Sequence, residues 1–271
     1  MPLSININMN QDTIAIIGGG NLGKSIAQGL LKQNYNPEQI YVTRTKVELL
    51  ADLKAENVQT TSDNVLAVKE AKILIFALKP YRIEAVLKQL TSHITPDHLV
   101  ISVISDFSIE QFTKSLAPTI QIVRAMPNTA AAIGESMTCL ASKNASAENI
   151  AKTKFIFDAL GETIEIDESL MDAATVLGAC GIAYALRFIR AMIQGGIEIG
   201  FDAKTATKIA SQTVKGASEL LLQNGNHPEE EIDKVTTPKG CTIAGLNEME
   251  HQGFSSSLIK GIKTSIETIQ K

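Results

Sequence analysis

Cysteine and histidine are scarce in this chain of 271 residues, and their placement excludes two kinds of site. The three cysteines, Cys139, Cys180 and Cys241, are odd in number and widely spaced. They predict neither a disulfide framework nor a Cys-x-x-Cys metal site. The four histidines contain no His-x-x-x-His pair, which would place two metal ligands on one helical face. We therefore expect no metal site and a reducing, cytoplasmic location.

The sequence also lacks an excess of positive charge and long uninterrupted apolar runs. The formal net charge is −4, which provides no basic field to attract nucleic acid. No run of about 18 apolar residues without charge occurs, so we expect no membrane-spanning helix. The chain starts Met-Pro-Leu-Ser-Ile-Asn-Ile-Asn-Met-Asn, without a basic segment followed by an apolar one. We therefore expect no signal peptide.

The first part of the chain alternates short apolar segments with helical patterns. Residues 13–17 and 73–77 are continuously apolar and contain β-branched side chains, which is typical of buried strands. Further strands are predicted at 40–43, 58–60, 99–104 and 120–124, and helices at 22–33, at 46–56 and from Pro80. Strands that alternate with helices predict an α/β fold, in which helices cover both faces of a parallel sheet.

The pattern changes near residue 166, after which no strand is predicted. The helical segments are 168–199, 203–224, 240–251 and 255–269. We therefore predict a first domain over residues 1–166 and an all-helical second domain over residues 167–271. Small residues allow close helix packing, and the wide apolar surface predicts a homodimer through the helical domain. A self-contained bundle is the alternative, and assembly of dimers into a larger ring stays open.

A glycine-rich turn follows the first predicted strand. Residues 18–23, Gly-Gly-Gly-Asn-Leu-Gly, fit Gly-x-Gly-x-x-Gly between a strand and a helix, the context that makes this motif informative. Gly18 permits the tight turn, Gly20 lets the backbone approach a pyrophosphate, and Gly23 lets the helix pack on the strand. The predicted cofactor contacts in this turn are Gly18, Gly20, Asn21, Leu22 and Gly23. The motif predicts a Rossmann dinucleotide-binding domain with phosphates at the helix N-terminus. A glycine turn kept for packing alone is the alternative.

The end of the second strand distinguishes NADP from NAD. An acidic residue there would bind the ribose 2′-hydroxyl of NAD, but this sequence has Thr43-Arg44-Thr45. Arg44 offers a planar charged fork for a 2′-phosphate, with two hydroxyls beside it. NADP(H) is therefore the preferred cofactor and NAD(H) the alternative, unless Arg44 is only an exposed loop residue. Lys79, after the strand at 73–77, either contacts the cofactor ribose or only begins a helix.

Three further motifs give a specific resemblance. They are Ala77-Leu78-Lys79-Pro80, Arg124-Ala125-Met126-Pro127-Asn128-Thr129 and Thr237-Pro238-Lys239-Gly240-Cys241-Thr242-Ile243-Ala244-Gly245-Leu246. Together with the glycine turn, and in this order and spacing, they resemble the pyrroline-5-carboxylate reductases. The resemblance covers nearly the whole chain from about residue 12. The third motif is the most specific, and Arg-Ala-Met-Pro-Asn is the next.

This resemblance implies a Rossmann domain followed by a helical domain that interlocks with a partner subunit. It also implies hydride transfer from NAD(P)H to the C=N carbon of 1-pyrroline-5-carboxylate, which gives L-proline in the last step of proline synthesis. The implied pocket lies between the nicotinamide and the helix that starts at residue 240. There the substrate carboxylate would dock on Lys239, Gly240 and Cys241 at the helix N-terminus. The hydroxyl of Thr242 would hydrogen-bond the ring nitrogen as the catalytic contact.

The resemblance implies further contacts in the first domain. Met126 and Pro127 would line the nicotinamide, and Asn128 would fix polar edges beside the substrate. The remaining implied cofactor contacts are Asn64, Ala77, Leu78, Lys79 and Pro80. Ordinary core packing is the alternative for Met126. Arg124 is better explained by a pair with a buried carboxylate than by substrate contact.

Three positions depart from the family pattern. Lys239 replaces the first residue of a glycine pair, and Cys241 stands where a small residue or threonine is common. Ile182, in Cys-Gly-Ile-Ala-Tyr, replaces the proline of a Ser-Gly-Pro-Ala-Tyr stretch. Lys239 either assists the carboxylate or faces solvent, and Cys241 supplies a backbone N–H or, as an alternative, a reactive thiol. These changes bear on affinity and cofactor preference more than on the class of reaction.

Two other functions fit less well. A 3-hydroxyacid dehydrogenase of the 6-phosphogluconate dehydrogenase type would carry a lysine and an asparagine four apart on the long helix. Here no lysine follows residue 166 until Lys204. A regulator that senses NADP without chemistry would not need a substrate helix with Gly240 and Thr242. A higher melting temperature with proline and NADP together would distinguish a competent substrate pocket from a sensor.

Overall fold

The computed structural model describes residues 12–270, which form two compact units that meet in the chain between Ala179 and Cys180. The first unit contains a sheet with helices, and the second is helical. The domain boundary predicted between residues 166 and 167 lies before this division between the two units, and it stays a prediction. Each unit is described below by itself.

The first unit is built on one eight-stranded sheet. The strands are β1 (Ile14–Ile17), β2 (Ile40–Thr43), β3 (Gln59–Thr61), β4 (Ile73–Phe76), β5 (Leu99–Ser102), β6 (Gln121–Met126), β7 (Ser136–Ser142) and β8 (Gly161–Glu165). Their order is β3-β2-β1-β4-β5-β6-β7-β8. Strands β1 to β6 run parallel in the order of a doubly wound dinucleotide-binding sheet. The predicted α/β fold is therefore confirmed, while β7, antiparallel to β6, and β8 were not predicted.

Helices accompany these strands, and two of them begin with residues typical of helix N-termini. The helices are α1 (Asn21–Lys32), α2 (Ala51–Ala55), α3 (Asn64–Glu70), α4 (Pro80–Leu90), α5 (Ile109–Ser115), α6 (Ala147–Asp158) and α7 (Met171–Ala174). Pro80 begins α4 as its first residue, where its missing N–H costs no hydrogen bond. Ser108 and Gln111 form a reciprocal capping box at α5. The helix predicted over 46–56 is divided into a 3-10 turn, Val47–Leu50, and α2.

The core of the first unit lies on both faces of the sheet. Ile14 and Ile16 of β1 belong to a cluster shared with α1 and α6. Ala15 and Ile17, which point to the opposite face, belong to a cluster shared with α3, α4 and α5. Each buried isoleucine side chain stabilises the fold by about 1.5–3 kcal/mol. This two-sided burial explains the continuous apolar runs, and it fixes the carboxyl ends of the central strands.

The second unit consists of helices. They are α8 (Gly181–Glu198), α9 (Ala203–Asn224), α10 (Pro228–Lys234), α11 (Cys241–His251) and α12 (Phe254–Ile269). Helix α10 was not predicted. The four predicted helical segments are confirmed. The first of them is modified, because a π-helix occupies Thr175–Cys180 and α8 ends at Glu198, before Gly200 with φ +115°. Within the described part of this unit, the buried residues are only Ile193, Ala206 and Ala210.

One helical segment of the chain is unusually apolar. Glu168–Glu198 contains an 18-residue window of mean hydropathy 1.6, and few of its residues are buried. By length and composition alone this segment is able to cross a membrane, in contrast to the expectation from the sequence. Large apolar side chains are also exposed on the other helices of the second unit, among them Ile209, Leu222, Leu258 and Ile259. This unit therefore presents an extensive apolar surface.

Candidate active site

The carboxyl ends of β1 and β4 meet at the glycine-rich turn between β1 and α1. Gly18 has φ +116°, and a Cβ at this position would overlap the carbonyl oxygen of Ala77. A Cβ on Gly23 would overlap the carbonyl oxygen of Gly18. In contrast, apart from Gly20 and its chain neighbours, no described atom lies within 4 Å of the Cβ position of Gly20. The turn is therefore closed towards the sheet and open at Gly20, which leaves space for a ligand beside the backbone.

The N-terminus of α1 carries N–H groups without side-chain partners. Gly20 is the N-cap residue, and no side chain caps this helix. Asn21 is exposed and Leu22 half-buried in the first helical turn. Unpaired N–H groups and the positive end of the helix dipole favour an anion at this place. The arrangement fits the pyrophosphate of a dinucleotide.

The end of β2 is attached to the glycine turn. Thr43 is buried, its hydroxyl accepts a hydrogen bond from the Gly18 N–H at 3.3 Å, and its carbonyl accepts one from the Gly19 N–H at 2.6 Å. Arg44 Nη1 donates to the carbonyl of Gly19 at 2.8 Å. Among the described residues the other guanidinium nitrogens of Arg44 have no partner, and Thr45 is exposed. Arg44 is thus brought to the turn with donors available for an anion.

Further predicted cofactor residues of the first unit lie after β4 and β3. The Ala77 N–H donates to the carbonyl of Ile17 at 2.9 Å, and Leu78 packs beside Gly18. Lys79 is the exposed N-cap residue of α4, ahead of Pro80. Asn64 begins α3, which Asp63 caps by accepting from two backbone N–H groups. The structure brings Ala77 and Leu78 to the glycine turn, and it places Lys79 and Asn64 at helix N-termini.

The segment after β6 is held by contacts within the first unit. Met126 packs in a small core cluster with Ala141 and Met171, as the alternative for Met126 proposed, and Pro127 is buried. Asn128 Oδ1 accepts from the Ala130 N–H at 2.9 Å, and its Nδ2 donates to the carbonyl of Gly178 at 3.3 Å. Gly178 lies in the π-helix. Both ends of the Asn128 amide therefore stabilise the protein itself.

Arg124 forms the predicted pair with a buried carboxylate. Its Nη1 lies 3.4 Å from Glu168 Oε1, and the two side chains are 7% and 13% exposed. Arg124 Nη2 also donates to the carbonyl of Ser105 at 2.9 Å. Glu168 accepts from the Ile109 N–H at 2.7 Å and lies 3.4 Å from Lys143. The predicted pair is therefore confirmed.

The third motif forms a tight turn followed by a helix in the second unit. The Gly240 N–H donates to the carbonyl of Thr237 at 2.9 Å, and Lys239 has φ +59°. Proline at the second position and a positive φ at the third are typical of a type II turn. A Cβ on Gly240 would lie 2.5 Å from Thr237 Oγ1 and 3.0 Å from the Thr237 carbonyl oxygen, so a larger residue there would displace Thr237. Lys239 and Cys241 are both exposed.

The N-terminus of α11 offers donors to a ligand. Gly240 is the N-cap residue, and no side chain caps the helix. The first N–H groups of α11, beginning with Cys241, are therefore free to bind an anion. Thr242 is half-buried, and its hydroxyl has no hydrogen-bond partner in residues 12–270. These donors can bind a carboxylate and one further polar atom.

One ion pair near the glycine turn was missed by the sequence analysis. Lys24 Nζ lies 2.6 Å from Asp52 Oδ2 and donates to the carbonyl of Leu49 at 3.3 Å. The hydrogen bond from Lys24 lowers the pKa of Asp52 below its ordinary value of 3.8, so the carboxylate is ionised at neutral pH. No sequence signal could have revealed this pair, because the two residues lie far apart in the chain and on different helices.

In the described part of the chain, no group of three potential metal ligands occurs.

Two family models match the chain. Residues 168–271 match the model for pyrroline-5-carboxylate reductase dimerisation. Residues 13–106 match a model described as NADP oxidoreductase, coenzyme F420-dependent. The first unit therefore contains a nicotinamide-dinucleotide domain, and the helices that follow contain a dimerisation domain.

Named relatives and solved structures agree with these models. Pyrroline-5-carboxylate reductases 1 and 2 of Dictyostelium discoideum are 46% and 44% identical, over 93% and 97% of this chain. The chain spans 48% of the first relative's length and 93% of the second's. The Coxiella burnetii enzyme superposes with a TM-score of 0.91 at 27% identity, covering 96% of this chain and 98% of that one. The Plasmodium falciparum pyrroline carboxylate reductase with NADP bound superposes with a TM-score of 0.86 at 25% identity, covering 96% of this chain and 98% of that one. This chain belongs to the pyrroline-5-carboxylate reductase family.

Proposed function

We propose that this protein reduces 1-pyrroline-5-carboxylate to L-proline with hydride from NAD(P)H, the last step of proline biosynthesis. The observation that carries the proposal is the turn at 237–240, which leads into an uncapped helix whose second residue, Thr242, has an unpaired hydroxyl. In a member of this family, such a group of donors fits a small cyclic imine with one carboxylate. NAD(P)H, when bound, would supply the hydride.

The first unit fits a dinucleotide. The open backbone at Gly20 and the uncapped start of α1 would hold the pyrophosphate, with Asn21, Leu22 and Gly23 completing that turn. Ala77 and Leu78 lie close enough to Gly18 to form the adjoining wall. Lys79, Pro80 and Asn64, at helix N-termini, and the segment Met126-Pro127-Asn128 are proposed as further contacts. We infer for Asn128 a positioning role, because its amide already bonds Ala130 and Gly178.

The second unit fits the substrate. The N–H groups that follow Gly240 would bind the carboxylate, and Lys239 adds a positive charge next to them. The Thr242 hydroxyl would donate a hydrogen bond to the ring nitrogen as the amine forms. An imine that arrives protonated needs no further acid from the protein. Catalysis therefore rests on positioning and electrostatics, which hold the reacting carbon for hydride transfer.

NADPH is the proposed preferred cofactor. Arg44 lies beside the glycine turn with free guanidinium donors, and neither neighbour, Thr43 or Thr45, carries the negative charge that would repel a 2′-phosphate. The NADP bound to the Plasmodium relative supports the same choice. NADH is the alternative electron donor, and its rate relative to NADPH measures the preference.

The protein is proposed to act as a homodimer through its helical domain. The apolar segment Glu168–Glu198 falls within the residues that match the dimerisation model, so we assign its exposed side chains to a partner copy and not to a membrane. A ring of dimers and a cytoplasmic location stay predictions.

A direct assay tests the function. Purified protein is mixed with 1-pyrroline-5-carboxylate and NADPH, then with NADH, while absorbance of the reduced cofactor and formation of proline are followed. Oxidation of cofactor with matching proline is the expected result. Protein that binds NADP⁺ but oxidises neither cofactor would contradict the proposal and would favour a sensor without chemistry.

A further inference from the structure

The loop that carries Arg44 is fastened to the glycine turn and α1 at three points. Arg44 Nη1 donates to the carbonyl of Gly19. Leu50 is buried against Gly19, and a Cβ on Gly19 would lie 2.7 Å from Leu50 Cδ2. Lys24 Nζ, from α1, reaches both Asp52 and the carbonyl of Leu49. The third fastening uses an ion pair, and nothing in the proposed function assigns it a role.

We propose that Lys24 and Asp52 form a positioning pair that raises affinity for the 2′-phosphate of NADP by holding the Arg44 loop in its binding conformation. The proposal rests on the proposed preference for NADP. It concerns how this chain presents Arg44, and it places no direct contact between Lys24 and the cofactor.

The hydrogen bonds of Lys24 support a positioning role. An ammonium group has three N–H donors. In this structure Nζ contacts Asp52 Oδ1 at 2.7 Å, Asp52 Oδ2 at 2.6 Å and the Leu49 carbonyl at 3.3 Å. Nζ therefore makes two hydrogen bonds, to the Asp52 carboxylate and to the Leu49 carbonyl, and both partners lie in the segment that follows Arg44.

The anchoring helix is more deeply buried than the loop that it holds. Helix α1 is fixed by Ile26, Ala27 and Leu30, which are fully buried. In the loop, Thr45 and Lys46 are exposed. A loop that is ordered before the ligand arrives loses less conformational entropy on binding, and this gain appears as affinity.

The effect should be specific for NADP. The pyrophosphate binds at the glycine turn, which NAD and NADP share, whereas the Arg44 loop would contact only the 2′-phosphate. Lys24 and Asp52 carry opposite charges, so replacing both leaves the net charge of the region unchanged. A loss of affinity in the double variant would then reflect loop order and not long-range electrostatics.

Calorimetric titration with NADP⁺, NAD⁺ and 2′,5′-ADP tests this role without turnover. The proteins are the full chain and its Lys24→Met, Asp52→Asn and double variants, with Lys32→Met as the matched control on the exposed side of α1. We expect each single variant to raise the Kd of NADP⁺ and 2′,5′-ADP about threefold to tenfold, with NAD⁺ changed less than about twofold. The double variant should be no weaker than the singles, and Lys24→Arg should restore most of the affinity.

Several outcomes would overturn the inference. Tighter NADP⁺ binding by Asp52→Asn would mean that a released Lys24 contacts the phosphate directly. Equal losses for NAD⁺ and NADP⁺ would mean general damage to the glycine turn, and unchanged affinities would mean no role at all. A wild-type protein without preference for NADP⁺ would overturn both the proposed cofactor choice and this inference, whereas a wild-type preference whose size is the same in all variants would overturn the inference alone. Melting curves verify that each variant is folded, and surface substitutions of this kind rarely prevent folding.

Discussion

The hydroxyl of Thr242 is the smallest group on which the proposed chemistry depends. Replacing Thr242 by Val keeps the shape of the side chain and removes the donor to the ring nitrogen. We expect kcat to fall about 10- to 100-fold, because a hydrogen bond that strengthens in the transition state is lost. Steady-state kinetics with 1-pyrroline-5-carboxylate and NADPH measures the change.

Thr242→Ser provides the matched comparison, since it returns the hydroxyl and should recover much of the turnover. The Kd of NADP⁺ should be the same in both variants. A Thr242→Val protein with wild-type kcat would remove the hydroxyl from the reaction.

Arg44 carries the proposed discrimination between cofactors. Arg44→Asp replaces a donor for the 2′-phosphate with a carboxylate that repels it and that can accept from the ribose 2′-hydroxyl of NAD. We expect the ratio of kcat/KM for NADPH to that for NADH to fall at least about tenfold, equivalent to about 1.4 kcal/mol. Selectivity that stays the same in this variant would refute the assignment, and Arg82→Asp, on the neighbouring helix α4, is the charge-matched control.

Lys239 occupies a backbone conformation that favours glycine. Its φ is +59°, and a non-glycine residue in the left-handed region is strained by about 1–2 kcal/mol. Lys239→Gly should therefore raise the free energy of unfolding by about 0.5–1 kcal/mol, after allowance for the greater freedom of glycine in the unfolded chain. Urea denaturation measures the gain.

Asn34→Gly is the control for this strain, because Asn34 has φ 60° and asparagine tolerates that region. The free energy of unfolding should rise less for Asn34→Gly than for Lys239→Gly. The same Lys239→Gly protein reports on the charge beside the carboxylate site, since a higher KM for substrate would show that the lysine assists binding. A destabilised Lys239→Gly protein would contradict the strain argument.

At the scale of residues, the sequence predicts local motifs better than contacts between residues that are distant in the chain. The spacing of the glycine motif predicts that the turn is closed at Gly18 and open at Gly20. The position of Arg44 after the second strand predicts that its side chain lies near this turn. The contact of Gly19 with Leu50 and the ion pair of Lys24 join residues that are distant in sequence. Such contacts depend on how helices are placed on the sheet, so no pattern within one segment predicts them.

Strands and helices were predictable where burial is strong and continuous. Strands β1 and β4 are apolar throughout because helices cover both of their faces. Strand β7, Ser-Met-Thr-Cys-Leu-Ala-Ser, mixes polar and apolar residues, and β8 is a short edge strand that contains two glutamates. Neither has the pattern of a buried strand. The π-helix at Thr175–Cys180 has an ordinary helical composition, and its carbonyl at Gly178 is paired by a distant side chain, Asn128.

The ion pair between Arg124 and Glu168 connects β6 to the start of the segment that leads into α7. Glu168→Gln would leave the buried guanidinium of Arg124 without its counter-charge. We expect the free energy of unfolding to fall by about 2–4 kcal/mol, because removal of one partner from a buried pair exposes the desolvation cost of the other. Thermal or urea denaturation measures the loss.

Glu110→Gln is the control on a surface pair of similar length. Glu110 and Lys114 lie 3.3 Å apart, and both side chains are 70% exposed. Because solvent screens such a pair, the control should lose less than about 0.5 kcal/mol. Equal losses in the two variants would show that burial of the Arg124 pair has no energetic consequence.

The two units of the molecule differ in how much core each possesses. The sheet is covered on both faces, whereas Ile193, Ala206 and Ala210 are the buried residues of the second unit in the part of the chain described. Apolar side chains that a dimer would bury are exposed instead. Leu186→Glu, on α8 where Leu186 is 59% exposed, should raise the dimer dissociation constant at least about 100-fold, because a charge would be buried in the interface. Analytical ultracentrifugation measures the association.

Leu66→Glu is the matched control, since Leu66 is an exposed leucine on α3 of the first unit. It should leave the association unchanged. A Leu186→Glu protein that associates as strongly as the wild type would place the interface elsewhere.

The sparse core of the helical unit has a consequence for how the protein melts. A unit that completes its core with a second copy gains stability by mass action, so its melting temperature rises with protein concentration. The sheet, which has a core of its own, should melt at a temperature that dilution does not change. Simple dilution would then act as a selective denaturant, loosening the half of the chain that is proposed to bind substrate while the half that is proposed to bind cofactor stays folded.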